Sequence, residues 1–132
     1  MAEEIKSILI VDDEPDILKL VEIRLRNQHY AVLTAIDGLE GLRMFQRHEP
    51  DLVLLDIMMP KLDGFEFLDR IKTMKVKKFI PIIMFSAKVR AEDIEKAKTR
   101  GAWDYILKPF TAEELIAKIK KAFESLMPEA NA

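Results

Sequence analysis

Residues 8–18 read ILIVDDEPDIL and combine a strand with a cluster of charge. The first four are aliphatic and mostly β-branched, which favours a buried β-strand. Three carboxylates, Asp12, Asp13 and Glu14, follow directly, and Pro15 then begins a segment with helical periodicity. A buried strand that ends in concentrated negative charge indicates a site at that end, whose other members must come from elsewhere in the chain.

Four further apolar runs are typical of buried strands, and helical segments separate them. The five predicted strands are 8–11, 31–35, 52–55, 80–85 and 105–107. Apolar residues three or four positions apart predict helices between and after them. The expected core positions of four of these helices are Ile17, Val21 and Leu25; Leu39, Leu42 and Phe45; Phe65, Leu68 and Ile71; and Leu115, Ile119, Phe123 and Leu126. This alternation favours an α/β fold with a doubly wound parallel sheet.

The fourth predicted helix, about residues 91–100, differs from the others. Its only apolar side chains are Ala91, Ile94 and Ala97. It can therefore bury little surface, and we expect it to dock weakly. It is either an ordinary exposed helix or an element that is held loosely because it moves.

Composition excludes several classes of protein. With 132 residues, 49% of them hydrophobic, the chain is expected to form one globular domain, residues 1–127, followed by a disordered tail, 128–132. The net charge of −2 gives no electrostatic reason to bind nucleic acid or an anionic membrane surface. The absence of cysteine excludes disulfides and thiolate metal sites. The first residues, MAEEIKS, lack the layout of a signal peptide, and no apolar run approaches the ~18 residues of a membrane span, so a cytoplasmic protein is predicted.

Polar side chains follow four of the five predicted strands. Asp12 and Asp13 follow the first strand, Asp56 the third, Ser86 the fourth and Lys108 the fifth. Each alone could be a helix cap, a turn residue or a solvated side chain. Because ligands bind beyond the carboxyl ends of parallel strands, together they predict one shared pocket.

The chemistry of such a pocket follows from its charges. Carboxylates about 4 Å apart repel by ~1 kcal/mol per pair in water, and more at lower dielectric. A hard cation relieves this repulsion, and ligands that are all oxygen point to Mg²⁺. A carboxylate can also be a nucleophile toward phosphorus, while Lys108 and the Ser86 hydroxyl could stabilise the oxygens of the transferred group.

The chain resembles the response-regulator receiver domain, the phosphoacceptor module of two-component signalling. The resemblance is carried by the motifs VDDEP at 11–15, LLDIMMPKLDG at 54–64, MFSA at 84–87 and GAWDYILKPF at 101–110. It implies a flavodoxin-like (CheY-like) sheet of five parallel strands in the order 2-1-3-4-5, with five helices. It also implies a signalling phosphoacceptor and not an enzyme.

The resemblance implies a role for each residue of the pocket. Asp56 would be phosphorylated, and Lys108 would bind the phosphoryl group. Asp12 and Asp13 would hold Mg²⁺ together with Asp56 and the backbone carbonyl of Met58.

The resemblance further implies a conformational switch and partners. Ser86 and Tyr105 would form the switch pair, and the peptide bond before Pro109 would be cis. The phosphoryl donor would be a sensor histidine kinase or a histidine phosphotransfer protein. Phosphorylation would change the face formed by the fourth helix, fifth strand and fifth helix, which a downstream partner or a second copy in a homodimer would read.

Two other functions compete with this interpretation. A Mg²⁺-dependent phosphatase could also form an aspartyl phosphate, but Met58 stands where such enzymes need a general acid, and no chain is spare for a substrate-selecting cap. An interaction module without phosphorylation would not need the full set of polar residues. The sequence leaves open whether the chain is a stand-alone receiver or part of a larger regulator.

Overall fold

Five parallel strands form one sheet at the centre of the molecule. The structure, a computed structural model, describes residues 4–87 and 90–126, so the predicted tail 128–132 lies outside the described residues. The sheet order is β2-β1-β3-β4-β5, and each neighbouring pair is parallel. The predicted fold class and strand order are confirmed. The strands are β1 Ser7–Val11, β2 Ala31–Ala35, β3 Leu52–Leu55, β4 Ile82–Ser86 and β5 Asp104–Leu107.

Five helices pack on the sheet, and four of them begin at a recognisable cap or proline. The side chains of Asp37, Asp63 and Thr111 each accept a hydrogen bond from a backbone N–H three residues later, and Pro15 starts the first helix. Each cap therefore fixes where the chain turns from a strand or loop into a helix. The helices are α1 Pro15–Asn27, α2 Gly38–His48, α3 Gly64–Ile71, α4 Ala91–Thr99 and α5 Ala112–Ser125.

Each face of the sheet carries its own apolar layer. On one face α1 and α5 bury Val21, Leu25 and Ile119 against β1, β3 and β4. On the other face α2 and α3 bury Phe45 and Phe67, whose rings meet edge to face at 6.1 Å. Alternate side chains of each strand enter opposite layers, so both faces of the sheet are apolar and its polar groups collect at one end.

The predicted helix faces need three corrections. Leu39 and Leu126 are exposed, whereas Phe67, which was not predicted, is fully buried. In α2 the buried face runs through Gly38 and Gly41, so Leu39 points outward. A Cβ on Gly38 would lie 2.2 Å from the carbonyl oxygen of Leu62, which shows how closely this face approaches its neighbour.

Strand β4 begins two residues later than predicted. Ile80 and Pro81 are buried but lie outside the strand. Proline has no N–H to donate to a sheet, although the Pro81 carbonyl still accepts from the Val53 N–H at 3.0 Å. As a result Ser86 is the last residue of the strand, and its backbone is held by the sheet.

Helix α4 buries little, as the sequence predicts. Only Ala97 is buried, and Ile94 is half-buried. Polar contacts connect α4 to α3 instead: Arg100 at its end forms an ion pair with Asp69 at 3.2 Å, and the Lys96 ammonium lies 4.3 Å from the centre of the Phe65 ring. Exposed ion pairs contribute little stability, so α4 is held weakly.

A membrane-spanning helix is not found in the part of the chain that the structure describes. None of its helices is both long enough and apolar enough for the purpose.

Candidate functional site

Backbone hydrogen bonds bring the predicted polar residues to one end of the sheet. The Asp56 N–H donates to the carbonyl of Val11 at 3.0 Å, which places the loop after β3 beside the end of β1. The Lys108 N–H donates to the carbonyl of Ser86 at 3.0 Å, which does the same for β5 and β4. Asp12 follows β1 directly. The sheet itself therefore assembles the site.

Three carboxylates lie together at this end. One oxygen from each of Asp12, Asp13 and Asp56 lies within 4.8 Å of the others. Asp12 is 0% exposed and Asp56 is 5% exposed, while Asp13 faces solvent. Two of the three charges are thus largely removed from water, a costly arrangement unless a cation compensates it.

Among the described residues, the Lys108 ammonium is the counter-charge in contact with these carboxylates. Its Nζ lies 2.6 Å from Asp12 Oδ2, 3.3 Å from Glu14 Oε1 and 3.6 Å from Asp56 Oδ2. The side chain is 9% exposed, and the ammonium lies 4.8 Å from the centre of the buried Phe85 ring. Lys108 therefore hydrogen-bonds to Asp12 and approaches Asp56 without bonding to it.

The protonation of the site reflects burial first. Burial raises the pKa of Asp56 to about 6; the Lys108 charge opposes this rise and the Asp12 charge adds to it. Burial also raises the pKa of Asp12, against the hydrogen bond from Lys108. For Lys108 burial disfavours the charged form, but the hydrogen bond to Asp12 and the charge of Asp56 outweigh it and raise the pKa. With a pKa of about 6, Asp56 is mainly ionised at neutral pH.

Asp56 and Lys108 line a pocket of about 350 Å³ that opens to solvent. Ser86 is buried in its wall, and the Met58 side chain stands at its mouth with 68% of its surface exposed. The pocket is large enough for a tetrahedral oxyanion and has the Asp56 carboxylate and the Lys108 ammonium in its walls. It is lined by Asp13, Glu14, Asp56, Met58, Ser86, Ala87 and Lys108.

The start of α3 supports the loop that carries Asp56. Asp63 caps α3, and the Gly64 N–H donates to the carbonyl of Ile57 at 2.8 Å. A Cβ on Gly64 would lie 2.6 Å from the Asp56 carbonyl oxygen and 2.9 Å from the Ile57 Cα. Only glycine allows the helix to begin this close to the loop.

Ser86 and Tyr105 lie on the same face of the sheet. Met84, two residues before Ser86, pairs with Tyr105 across β4 and β5, and alternate residues of a strand share a face. Tyr105 is half-buried, next to the sparsely packed α4. Beyond β5 the peptide bond between Lys108 and Pro109 is cis.

The structure brings together most of the residues that the sequence singles out. Asp12, Asp13, Asp56, Ser86 and Lys108 meet at one end of the sheet; Met58 lies at the rim, and the role of its carbonyl stays a prediction. The sequence did not predict that Glu14 contacts Lys108. The position of Glu14 beside two acids at a strand end indicated that it could join the site. Its contact could not be predicted, because a side chain just before a helix can point in several directions.

The donor set fits a hard divalent cation. All the clustered groups are oxygens, two of the three carboxylates are buried, and the single ammonium that contacts them within residues 4–87 and 90–126 cannot balance three negative charges. The acidic triad could therefore hold a metal, as in receiver domains.

Comparison with known proteins agrees with this geometry. The family described as "Response regulator receiver domain" matches residues 8–120. Response regulator GtcR of Aneurinibacillus migulanus is 40% identical over 131 residues, 96% of this chain and 53% of that protein. The alkaline phosphatase synthesis transcriptional regulatory protein PhoP of Bacillus subtilis is 41% identical over 115 residues, 87% of this chain and 47% of that protein. The chain spans about half the length of these curated relatives.

Solved structures show the same fold along almost their whole length. Chemotaxis protein CheY4 of Vibrio cholerae superposes with a TM-score of 0.85 at 32% identity, over 89% of this chain and 98% of that one. A receiver domain protein of Methanospirillum hungatei superposes with a TM-score of 0.86 at 31% identity, over 92% and 96% of the two chains.

The chain belongs to the response-regulator receiver domain family. Receiver domains are signalling phosphoacceptors that histidine kinases phosphorylate, and PhoP is by name a transcriptional regulator. The acidic pocket of Asp12, Asp13 and Asp56 is consistent with an aspartate phosphorylation site in two-component signalling.

Proposed function

We propose that Asp56 accepts a phosphoryl group from a phosphohistidine and that this modification switches the face formed by α4, β5 and α5. The donor is a sensor histidine kinase or a histidine phosphotransfer protein. The observation that carries the proposal is the position of the Asp56 carboxylate. It lies in the wall of an open pocket, with the Lys108 ammonium 3.6 Å away and two further carboxylates within 4.8 Å.

The transfer is a single displacement at phosphorus. An Asp56 carboxylate oxygen attacks, a new O–P bond forms, and the P–N bond to the donor histidine breaks with its electron pair going to the imidazole. Because the pKa of Asp56 is about 6, the nucleophilic ionised form predominates above that pH. Lys108, whose side chain is anchored over the Phe85 ring, neutralises charge on the transferred oxygens.

The metal site completes the charge balance. Asp12, Asp13, Asp56 and the Met58 carbonyl would hold Mg²⁺, which when bound neutralises the phosphoryl oxygens and those of the acids around it. One oxygen of each of the three carboxylates lies within 4.8 Å of the others, which suits a shared ion.

Phosphorylation then acts on the loosely packed side of the domain. New oxygens on Asp56 attract the Ser86 hydroxyl, Tyr105 moves into the space that this leaves, and α4 shifts. Moving an equilibrium from 1:99 to 99:1 takes ~5.5 kcal/mol, which a few charge-assisted hydrogen bonds and a metal contact can supply. The burial of only Ala97 in α4 keeps the opposing cost low.

The switched face transmits the signal to a downstream partner or output domain. Trp103 and Leu107 expose apolar surface on β5 or just before it, so this face can also join two copies in a phosphorylation-linked homodimer. The domain is proposed to act in the cytoplasm and to assist its own phosphorylation and dephosphorylation without being an enzyme.

A mass measurement tests the phosphoacceptor. Incubation with acetyl phosphate and Mg²⁺ should add ~80 Da, the mass of one phosphoryl group, and Asp56→Asn should abolish the gain. Asp51→Asn is the matched control, because Asp51 lies just before the same strand, β3, at its opposite end. A gain that survives Asp56→Asn, or no gain in the native protein, would contradict the proposal.

A further inference from the structure

Glu14 contributes a carboxylate that none of the roles above requires. Its Oε1 lies 3.3 Å from Lys108 Nζ, although Glu14 itself is exposed to solvent over 61% of its side chain. Asp12, the other partner of Lys108, is fully buried. The ammonium thus has two hydrogen-bonded carboxylates, one fixed inside the protein and one at the mouth of the pocket, while Asp56 lies beyond hydrogen-bond distance.

We propose that Glu14 is a positioning residue that holds the Lys108 ammonium on the Asp12 side of the pocket and so slows phosphoryl transfer to Asp56. The inference rests on the proposed function, since it concerns the rate of that transfer. Glu14 acts through Lys108 and touches neither the donor nor the reacting oxygen of Asp56.

The local backbone explains why the Glu14 side chain is available for this contact. Glu14 is the cap position of α1, with extended dihedral angles of −95° and 109°, but its side chain makes no capping hydrogen bond. Its N–H is already bound to Asp12 Oδ1 at 2.8 Å. Pro15, which follows, has no N–H that would need a cap. The carboxylate is therefore free to reach the ammonium.

The geometry also identifies Glu14 as the partner that Lys108 can exchange. The Lys108 ammonium lies 4.8 Å from the centre of the Phe85 ring, and its hydrogen bonds go to Asp12 and Glu14, so these two carboxylates fix its position. Asp12 cannot withdraw, because it is buried and its other oxygen accepts the Glu14 N–H. The exposed contact with Glu14 costs little to break and is the one given up when phosphoryl oxygens appear on Asp56.

A carboxylate at the pocket mouth could also act in a simpler way, by repelling an anionic phosphoryl donor. That effect would not need Lys108. The two possibilities therefore differ in a double-mutant cycle, in which a direct charge effect persists without the lysine and a positioning effect disappears.

The experiment uses intact mass to measure the initial rate of phosphorylation by acetyl phosphate. The Mg²⁺ concentration that saturates this rate is first determined for each variant. Glu14→Gln should accelerate the native protein about threefold, the scale of one partly exposed ion pair. In the Lys108→Ala background, which is slow and is followed for hours, the same substitution should have no effect. Asp16→Asn removes an equal charge from the first turn of α1, where it makes no contact with Lys108, and should leave the rate unchanged.

Each other result is decisive. Equal acceleration by Glu14→Gln with and without Lys108 would show direct repulsion of the donor and overturn the inference. A rate unchanged or lowered by Glu14→Gln, with thermal unfolding unchanged, would overturn it as well. A native protein that gains no mass would refute the proposed function and this inference together, whereas labelling that Glu14→Gln fails to accelerate would refute only the inference.

Discussion

Two buried regions of this sheet differ in what burial does to stability. The layer between the sheet and helices α1 and α5 consists of aliphatic and aromatic side chains such as Val21, Leu25 and Ile119. The pocket at the carboxyl ends of the strands buries Asp12, Asp56 and Ser86 instead. Removing apolar surface from water stabilises the first region, while removing charge from water destabilises the second.

This difference separates the residues that maintain the fold from those that perform the chemistry. In the apolar layer any truncation should lower the free energy of unfolding. At Asp56 the loss of the negative charge should raise it, because burial disfavours the ionised carboxylate. Substitutions in the apolar layer and at Asp56 should therefore change stability in opposite directions.

The largest change is expected in the apolar layer. Ile119→Ala should lower the free energy of unfolding by about 3 kcal/mol, because the side chain is fully buried and leaves a cavity. Ile94→Ala, the same chemical change in half-buried α4, should cost about 1 kcal/mol or less. Chemical denaturation measures both. Equal costs would mean that α4 is packed as firmly as α5.

In the pocket, a substitution that removes the Asp56 charge should raise the free energy of unfolding. Asp56→Asn should raise the free energy of unfolding by about 1–3 kcal/mol near pH 7.5 in metal-free buffer, measured by denaturant titration. Burial raises the pKa of Asp56 from 3.8 to about 6, so the folded protein binds a proton more tightly than the unfolded chain does. Ionisation of Asp56 therefore destabilises the native protein as the pH rises through 6.

The pH dependence of this gain distinguishes it from a packing effect. The gain should be largest above about pH 6 and should vanish below about pH 4, where Asp56 is protonated in both states. Asp16→Asn, which removes an exposed carboxylate, should not show this profile. A gain that is the same at all pH values, or a loss of stability near neutral pH, would mean that burial does not penalise the Asp56 charge.

Asp51 is a carboxylate at the other end of β3. Its substitution should lower the free energy of unfolding, as truncations in the apolar layer do, but by a smaller amount. Burial opposes its ionisation, but the ion pair with Lys78 and the Ser7 N–H at 2.7 Å outweigh it and lower its pKa. Asp51→Asn should therefore cost about 1 kcal/mol in thermal or chemical unfolding at neutral pH.

Asp51 contributes this stability fully above 3.8, its ordinary pKa, and loses it only as the pH falls through its lower folded value. The cost of Asp51→Asn should thus persist at about pH 5, where the gain from Asp56→Asn is already declining. Parallel pH profiles for the two variants would contradict the assignment of opposite shifts.

The sequence predicts the central strands β1 and β3 well because they are buried on both faces. Such strands read as continuous aliphatic runs, as in residues 8–11 and 52–55, and their order follows from the receiver resemblance. The helix faces are predicted less well, because periodicity does not show which neighbour a helix meets. Phe67 packs against Phe45 on α2, and because it lies four residues before Ile71, the helical period allows either Phe65 or Phe67 to face the core.

The members of the site are predictable, but their pairing is not. Residues at the ends of parallel strands must meet, so Asp12, Asp56 and Ser86 could be placed together from the sequence alone. Which carboxylates Lys108 contacts depends on the path of its side chain past Phe85 and on the backbone at Glu14. These contacts arise from three-dimensional packing, and no periodic pattern in the sequence predicts them.

The missing side chain at Gly64 has a consequence for how the domain can evolve. Because the helix that starts there lies against the main chain of Asp56 and Ile57, even one added methyl group would displace the loop that carries Asp56. Random mutagenesis followed by selection for signalling should therefore recover glycine codons at this position, while the exposed residues of the same helix diversify freely.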